Sequence, residues 1–537
     1  MAVLALIAGV VLLGGSDDDD DAAPGSTVTP GEEPAAAGGP ISFSQAEAEG
    51  LDVTFPDTCD PETGRVAIPY YFAAECFADV EENGGATDDG VTADSIKVVV
   101  YLAPDNDPIL DFILGSIQND DTSADVRATY EGYTELFQAT YQTYGRRVEL
   151  EFLNGSGDAT NEEAARADAI RAAEEMGAFA VWGGPVLNPG WTDELRARNV
   201  ICLSCFSVPD MRPTAFSLVA SAEQSTVHLT EYVSKRLAGR PAVHAGDSAF
   251  HARERVFGHL WIEASANSAQ NAQDLRDALS AEGVELAESI PFDITRAGEQ
   301  APGIITRFKE AGVTSVIIQG DPSTPAIFTS AATAQEWFPE WILGGSALMD
   351  TAAFARSYDQ SQWAHAFGIS SLAARTAPGV GDAVALYEWF HGEPPAADET
   401  ANILLPQPSL FFGALQLAGP NVTTESFVEA IYQVGPFAGA VTLPGFSYGD
   451  HGIYPMLEGP DHNGIDDFTE IWYDPTVPGI DEIGHDGVGA YQYVDGGRRY
   501  RPGEWTEEDR AFDPEGAVAV YDEPPAAEVV PDYPAPE

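Results

Sequence analysis

Short β-branched apolar runs, each followed by a longer stretch of helical period, recur through the middle of the chain and constrain its fold more than any other feature. The runs fall at 96–102, 148–153, 178–182, 200–203, 242–245, 285–291, 315–319 and 341–343. They are nearly continuous rather than alternating, as expected for parallel strands covered on both faces. The stretches between them, 129–144, 161–176, 192–198, 222–237, 270–282, 303–311 and 326–336, have helical composition. Gly177, Gly239, Gly283 and Gly312 follow four of them and suit the left-handed position just beyond a helix. This βαβα order predicts an α/β fold.

At 537 residues the chain exceeds what one hydrophobic core holds, so two lobes with tails are expected. It carries 86 acidic against 25 basic residues, a formal charge of -61. Such a surface repels phosphate backbones and anionic headgroups, which argues against nucleic acid as a partner. It suits solubility in a salty medium, where self-repulsion is screened beyond about 8 Å.

The apolar run Met1 to Gly15 leads into Ser16 and Asp17 to Asp21. Residues 1–16 read as an export signal or membrane anchor, although they lack a basic n-region and fall short of the roughly 20 residues that span a bilayer. A lipoprotein would carry cysteine where Ser16 stands, so no lipid anchor is expected there. Residues 17–50 are expected to form a disordered acidic linker, and 476–537 a largely irregular tail. The expected location is extracytoplasmic, secreted or tethered, with membrane contact only through the N-terminal segment.

An even cysteine count in an exported chain favours disulfides. Cys59 and Cys76 sit in a Pro-, Gly- and acid-rich segment, 51–89, that a bridge would staple. Cys202 and Cys205 form a C-x-x-C open to redox, metal-binding or structural readings. The segment ICLSCFSVPD ends a strand and runs into Pro209 instead of opening a helix, and no second close pair accompanies it. A structural disulfide or two buried thiols is the expectation.

In parallel α/β sheets, ligands sit beyond the C-terminal ends of the strands. The segments there are small, glycine-rich and sparsely charged: Ala103-Pro104-Asp105, Gly183-Gly184-Pro185, Cys205-Phe206-Ser207, Gly246-Asp247, Gly320-Asp321-Pro322 and Gly344-Gly345-Ser346. A carboxylate at Asp321 or Asp247 either neutralises a ligand ammonium or caps the next helix. Phe206, Phe250, Trp182 and Trp191 are candidates to wall an apolar pocket, with Trp182 better placed for the core. Ser207 and Ser346 supply hydroxyls, Ser346 beside two glycines that permit close backbone approach.

Several segments in order carry a family resemblance. GVTADSIKVVVYLAP from Gly90, GRRVELEFLNGSGDATNEEAARADAIRAAEEMGAFAVWGGP from Gly145, Leu279 to Asp321, and PSLFFGALQLAG followed by GPFAGAVTLPGFSYGDHG resemble type I periplasmic binding proteins. More narrowly, they are similar to the leucine/isoleucine/valine-binding family that delivers solutes to ABC importers. The resemblance spans about Gly90 to Asp474. It implies two Rossmann-like lobes with parallel sheets, joined by a three-strand hinge. Lobe 1 would take 90–221 and 347–434, and lobe 2 would take 222–346 and 435–475. It also implies ligand positions near Leu187 and Asn188, Phe206 to Val208, Phe257 and Gly258, Asp321 and Pro322, and Ser346. Val208 stands where the family places a threonine, and Ser346 where amino-acid binders place a carboxylate, so simple α-amino acid recognition is not implied.

No G-x-S-x-G, H-E-x-x-H, P-loop or G-x-G-x-x-G signature follows the expected strands, and the spacings of His244, His251 and His259 do not suit a helical metal pair. DHNGIDD, 461–467, partly resembles a calcium loop but has Trp472 where the bidentate glutamate belongs, so a polar turn is expected. The expected function is therefore non-enzymatic capture of a small polar or amphipathic molecule, such as an amino acid, amide, urea-like compound or short peptide. No metal or cofactor is expected, and the expected protein partner is an ABC importer permease. The rival readings are a sensor ectodomain with the same cleft and a redox enzyme using Cys202 and Cys205.

Overall fold

The computed structural model describes residues 39–535, apart from 106, 186, 209, 264–266, 346 and 347. The expected signal and most of the expected linker lie outside the described residues.

Five parallel strands form the first sheet in the order β2-β1-β3-β4-β5: β1 (Ser95–Leu102), β2 (Arg147–Asn154), β3 (Ala180–Trp182), β4 (Ile201–Leu203) and β5 (Ala215–Phe216). The second sheet has eight strands: β6 (Phe257–Ile262), β7 (Leu286–Phe292), β8 (Ser315–Gln319), β9 (Glu340–Gly344), β10 (Ala366–Ser370), β12 (Phe468–Ile480), β13 (Asp486–Tyr493) and β14 (Arg499–Tyr500). A two-stranded ladder joins β11 (Arg375–Thr376) to β15 (Val520–Tyr521). The central strands of both sheets are buried, which is why they read as continuous apolar runs.

In lobe 1, α3 (Ser123–Thr140) covers one face with α12 (Ala383–His391), α13 (Ala401–Leu404), α14 (Pro406–Ala418) and α15 (Thr424–Ile431). On the other face lie α4 (Glu162–Ile170) and α5 (Gly190–Ala197). In lobe 2, α6 (Ala222–Tyr232) and α7 (Ser268–Ala281) cover one face. The opposite face carries α8 (Ala297–Glu310), α9 (Pro325–Ala334), α10 (Ala352–Ala355) and α11 (Gln360–Trp363). Two further helices lie outside these layers: α1 (Phe43–Glu49), in the N-terminal segment, and α2 (Pro108–Ile117), directly after β1.

The chain crosses between the sheets at 217–221, after Ser370, and at 463–467. The first and third crossovers run side by side, with the Ser217 amide donating to the His462 carbonyl (2.8 Å) and the Gly464 amide to the Ser217 carbonyl (3.0 Å). Arg499 ties the second to the third. Its guanidinium donates to the Ser371 (3.0 Å) and Leu372 (2.8 Å) carbonyls and pairs with Asp467, both side chains being about 95% buried.

Several expectations are corrected here. The 242–245 run is not a strand. It folds into a turn closed by the Pro241–Glu254 bridge, and the first strand of lobe 2 is the next apolar run, β6, which aligns with β7 and β8. The boundary expected at 346/347 moves past Ser370, because β10 pairs with β9. The boundary expected at 434/435 moves to the third crossover, because Tyr448 is buried in the core of lobe 1. Residues 39–50 belong to the folded chain: Ala46 is buried, and the Phe43 amide bonds to the Cys76 carbonyl (3.0 Å). Val66, Ile68 and Ala73 of the following segment enter the lobe 1 core.

The tail is irregular beyond β14, apart from β15, but its first part is ordered into the sheet and its remainder is packed on the lobes. It supplies β13 and β14, buries Trp505 in lobe 2, and then crosses the hinge as a fourth connection through β15. On lobe 1 the Glu528 carboxylate accepts from the Val441 (2.7 Å) and Thr442 (3.2 Å) amides and from the Thr442 hydroxyl. Further on, the Tyr533 hydroxyl donates to Asp60 (2.8 Å).

Replacing Asp467 by alanine leaves Arg499 buried without its counter-charge, and urea denaturation should show a loss of about 3–5 kcal/mol. Glu528→Ala strands the Val441 and Thr442 donors. It should cost about 1–3 kcal/mol in the same measurement.

Candidate functional site

Where the loop after β4 meets the hinge, the chain forms a partly open cavity of about 350 Å³. Lobe 1 contributes Ser207, Val208, Met211 and Arg212, together with the turn segment 447–463 that leads into the third crossover. Lobe 2 contributes Ser221 and Glu223 at the start of α6. Ser221 caps α6 with Gln224: its hydroxyl accepts from the Gln224 amide (3.1 Å), and the Gln224 side chain accepts from the Ser221 amide (2.8 Å).

That capping box leaves the Gln224 amide nitrogen free to reach across the hinge. It donates to the Asp461 carboxylate (2.8 Å) and to the Asn463 carbonyl (3.0 Å). Asp461 in turn accepts from the Asn463 amide (2.8 Å), and the Ser207 hydroxyl donates to the Asn463 side chain (3.0 Å). Side chains from both lobes thus converge on one short turn.

Asp461 keeps some surface toward the cavity but lies deep beneath the surrounding elements. Loss of water pushes its carboxyl up to about 7, with nearby Asp466 adding to the effect. Burial likewise pushes Asp466 up to about 7, against the opposing hydrogen bond from the Ser447 hydroxyl (2.9 Å). Two histidines, His462 in the cavity wall and His228 behind Tyr454, are held neutral. His462 stacks on Phe216 (4.6 Å), places Nδ1 2.7 Å from the Ala215 carbonyl and Nε2 2.7 Å from the Tyr432 hydroxyl, and burial drives it down to about 4. Burial also drives His228 down to about 3. Its Nδ1 accepts from the Trp505 indole (3.0 Å), so Nε2 donates to the cavity-lining Tyr454 hydroxyl (3.1 Å), which donates to the Ile465 carbonyl (2.9 Å).

Of the residues singled out from the sequence, Ser207 lines this cavity, and its neighbour Phe206 is buried with its carbonyl accepting from Thr192 (2.9 Å). Asp105, exposed after β1, accepts from Ser123 (2.6 Å). Pro185 and Asn188 are buried after β3, and Asn188 bonds to the Ala159 carbonyl (2.9 Å) and the Gly190 amide (3.1 Å). Gly320 packs toward the Phe292 ring.

The Asp321 carboxylate is consumed locally by the Ser323 (2.9 Å) and Thr324 (3.0 Å) amides and the Thr324 hydroxyl (2.7 Å), a side-chain-closed turn just ahead of α9. Asp247 and Phe250 lie at the wrong end of the lobe 2 sheet for a strand-end site. The Asp247 amide bonds to the carbonyl of Phe338, just before β9 begins, and Phe250 is buried in the core. That displacement follows from the misplaced strand at 242–245. Ser346 lies outside the described residues. Cys59 and Cys76 are bridged, and so are Cys202 and Cys205, each pair with 5.8 Å between Cα atoms.

Asp461, Asn463, Gln224 and Tyr454 were not singled out as ligand positions. The sequence signal for Asp461 and Asn463 is the polar DHNGIDD turn, which leads into the third crossover; Gln224 and Tyr454 carry none.

A family profile described as periplasmic binding protein matches residues 115–456. The chain belongs to that family. Its members are solute-binding proteins rather than enzymes, and membership implies an extracytoplasmic location. Among the described residues no helix is long and apolar enough to cross a membrane. No curated protein matches the sequence.

Among solved structures, a type 1 periplasmic binding protein from Bordetella pertussis Tohama I is 14% identical, with a TM-score of 0.50 over 71% of this chain and 97% of its own. A fatty acid ABC transporter substrate-binding protein from Thermomonospora curvata is 13% identical, with a TM-score of 0.50 over 82% of this chain and 99% of its own. The Streptococcus pneumoniae branched-chain amino acid transporter substrate-binding protein LivJ, in complex with isoleucine, is 13% identical, with a TM-score of 0.48 over 74% and 99%. The first two of these likenesses accord with the fold of the family and leave the ligand open.

Asp466 gives the site a pH signature. Its carboxyl titrates near 7 when folded and near 4 when unfolded, so from about pH 4 to 7 only the unfolded chain releases this proton, and the contribution of Asp466 to stability falls as pH rises. Asp466→Asn removes that slope and keeps an acceptor for Ser447. The melting temperature of the wild type relative to the variant should therefore drop steadily between pH 4 and 7.5 in differential scanning calorimetry.

Proposed function

We propose that this periplasmic binding protein captures a small polar or amphipathic solute between its lobes and delivers it to an ABC importer permease. The observation that carries this reading is the placement of the hinge cavity. Ser207 and Val208 of lobe 1 and Ser221 and Glu223 of lobe 2 face the same space. A molecule held there touches both lobes and favours the arrangement in which they are closed, through its differential affinity for that state. The volume of about 350 Å³ suits a compact solute such as an amino acid, amide, urea-like compound or short peptide. Ser207, Asn463 and Asp461 supply donors and acceptors that fix its polar end.

Native mass spectrometry of the purified full chain, followed by calorimetric titration of whatever it carries, tests the reading. Ser207→Ala and Asn463→Ala should each weaken binding by up to about tenfold, the worth of one hydrogen bond in a closed site. A folded protein that neither carries nor binds any small molecule would remove solute capture as its function.

A further inference from the structure

One apolar cluster runs without a break from lobe 1 into lobe 2. On lobe 1 it contains Trp191, Phe206, Val208 and Met211, and on lobe 2 it contains Phe292, Phe328, Leu348 and Met349. The bridge between them is α2, which leaves lobe 1 after β1 and packs against α10 of lobe 2. Leu110 and Ile117 are buried in the cluster and Leu114 packs against it, at the i, i+4, i+7 spacing of a single helical stripe.

Both ends of α2 are fastened to lobe 1. The Asp107 carboxylate accepts from the Leu110 (3.2 Å) and Ala159 (2.6 Å) amides. Beyond the helix, the Asp120 amide donates to Glu399 (3.1 Å) and the Thr400 hydroxyl to Asp121 (2.6 Å). Opening the lobes therefore peels an apolar stripe off an apolar partner and exposes both, an unfavourable change unless something apolar covers them.

Val208 and Met211 belong to this cluster and also line the hinge cavity, so the cavity has one apolar wall continuous with the interlobe core. Its charged lining is predominantly acidic, with Asp210, Glu223, Asp450, Glu458 and Asp461 against Arg212. Glu223, Asp450, Glu458 and Asp461 face it, and among the described residues no lysine or arginine forms an ion pair with any of the four. Arg212, the arginine in the wall, is already held by Asp210 at 2.8 Å. A ligand carboxylate there meets a lining with more acids than bases, whereas an ammonium or neutral polar head is not repelled.

Resting on the capture reading, we propose that the ligand is an amphiphile with a cationic or uncharged head beside Asp461 and Asn463. Its apolar body lies against Val208 and Met211, the part of the interlobe cluster that reaches the cavity.

The test is calorimetric titration of the full chain with butylamine, hexylamine and octylamine, the matching alkanols, the matching alkanoates, and isoleucine. Each added methylene in the amine and alkanol series should tighten binding by roughly fourfold. Alkanoates should bind more weakly than amines of equal length. Asp461→Asn should weaken the amines by a larger factor than the alkanols of equal length, a split that a merely structural role for Asp461 would not produce. Affinity flat with chain length, or isoleucine or an alkanoate outbinding octylamine, overturns the amphiphile assignment while leaving solute capture standing. A co-purified molecule that is anionic or lacks an apolar body does the same. A folded chain that binds no probe and carries no molecule overturns both readings.

Discussion

Arg499 is the side chain on which the two-lobed arrangement depends. It comes from β14, late in the chain, and reaches back to hold the second crossover by two carbonyls and the third by the Asp467 carboxylate. A buried guanidinium is tolerated only when its donors and charge are met, so the ion pair sets the distance between the two strands it joins. The first crossover is then located by backbone bonds to the third. The hinge is thus a small buried polar core, whereas each lobe is an apolar one.

That polar core explains why the cavity sits where it does. Gln224 reaches from the first helix of lobe 2 to Asp461 and Asn463, and Ser207 reaches the same asparagine from the end of β4. Residues that position the crossovers also line the space a solute would fill, so occupancy and lobe arrangement are coupled through shared hydrogen bonds. The buried carboxyls near pH 7 and the neutral histidines are consequences of placing acids and imidazoles where water is scarce.

The two ends of the chain extend the common architecture. The segment stapled by Cys59 and Cys76 lies over lobe 1, where Gln416 donates to the Glu75 carbonyl (2.6 Å). Buried Arg146 fastens this segment further, bonding to the Thr92 (2.9 Å), Pro420 (2.8 Å) and Gly85 (3.1 Å) carbonyls. The C-terminal segment runs from lobe 2 across β15 to lobe 1, so the lobes are joined by four connections rather than three. The added strap restrains how far they can part.

Local periodicity decided the elements. The strands of the first sheet up to β4, the strands β7 to β9 and the helices between them other than α2 are legible because a buried parallel strand needs an apolar run and its helix an amphipathic one. β6 was passed over because His259 interrupts its apolar run, and only the folded sheet shows that histidine bonded to Ser289 (3.1 Å) and Gln319 (3.0 Å). The lobe boundaries, the course of the tail and the cavity were not legible. They depend on which strand pairs with which, as β10 with β9, and on loops far apart in sequence meeting, as Ser207 with Asn463. The sequence alone determined an α/β chain of binding-protein type. The tertiary structure decided where its lobes divide and which side chains face the solute, because hydrogen bonds between distant segments leave no periodic trace in the residues that make them.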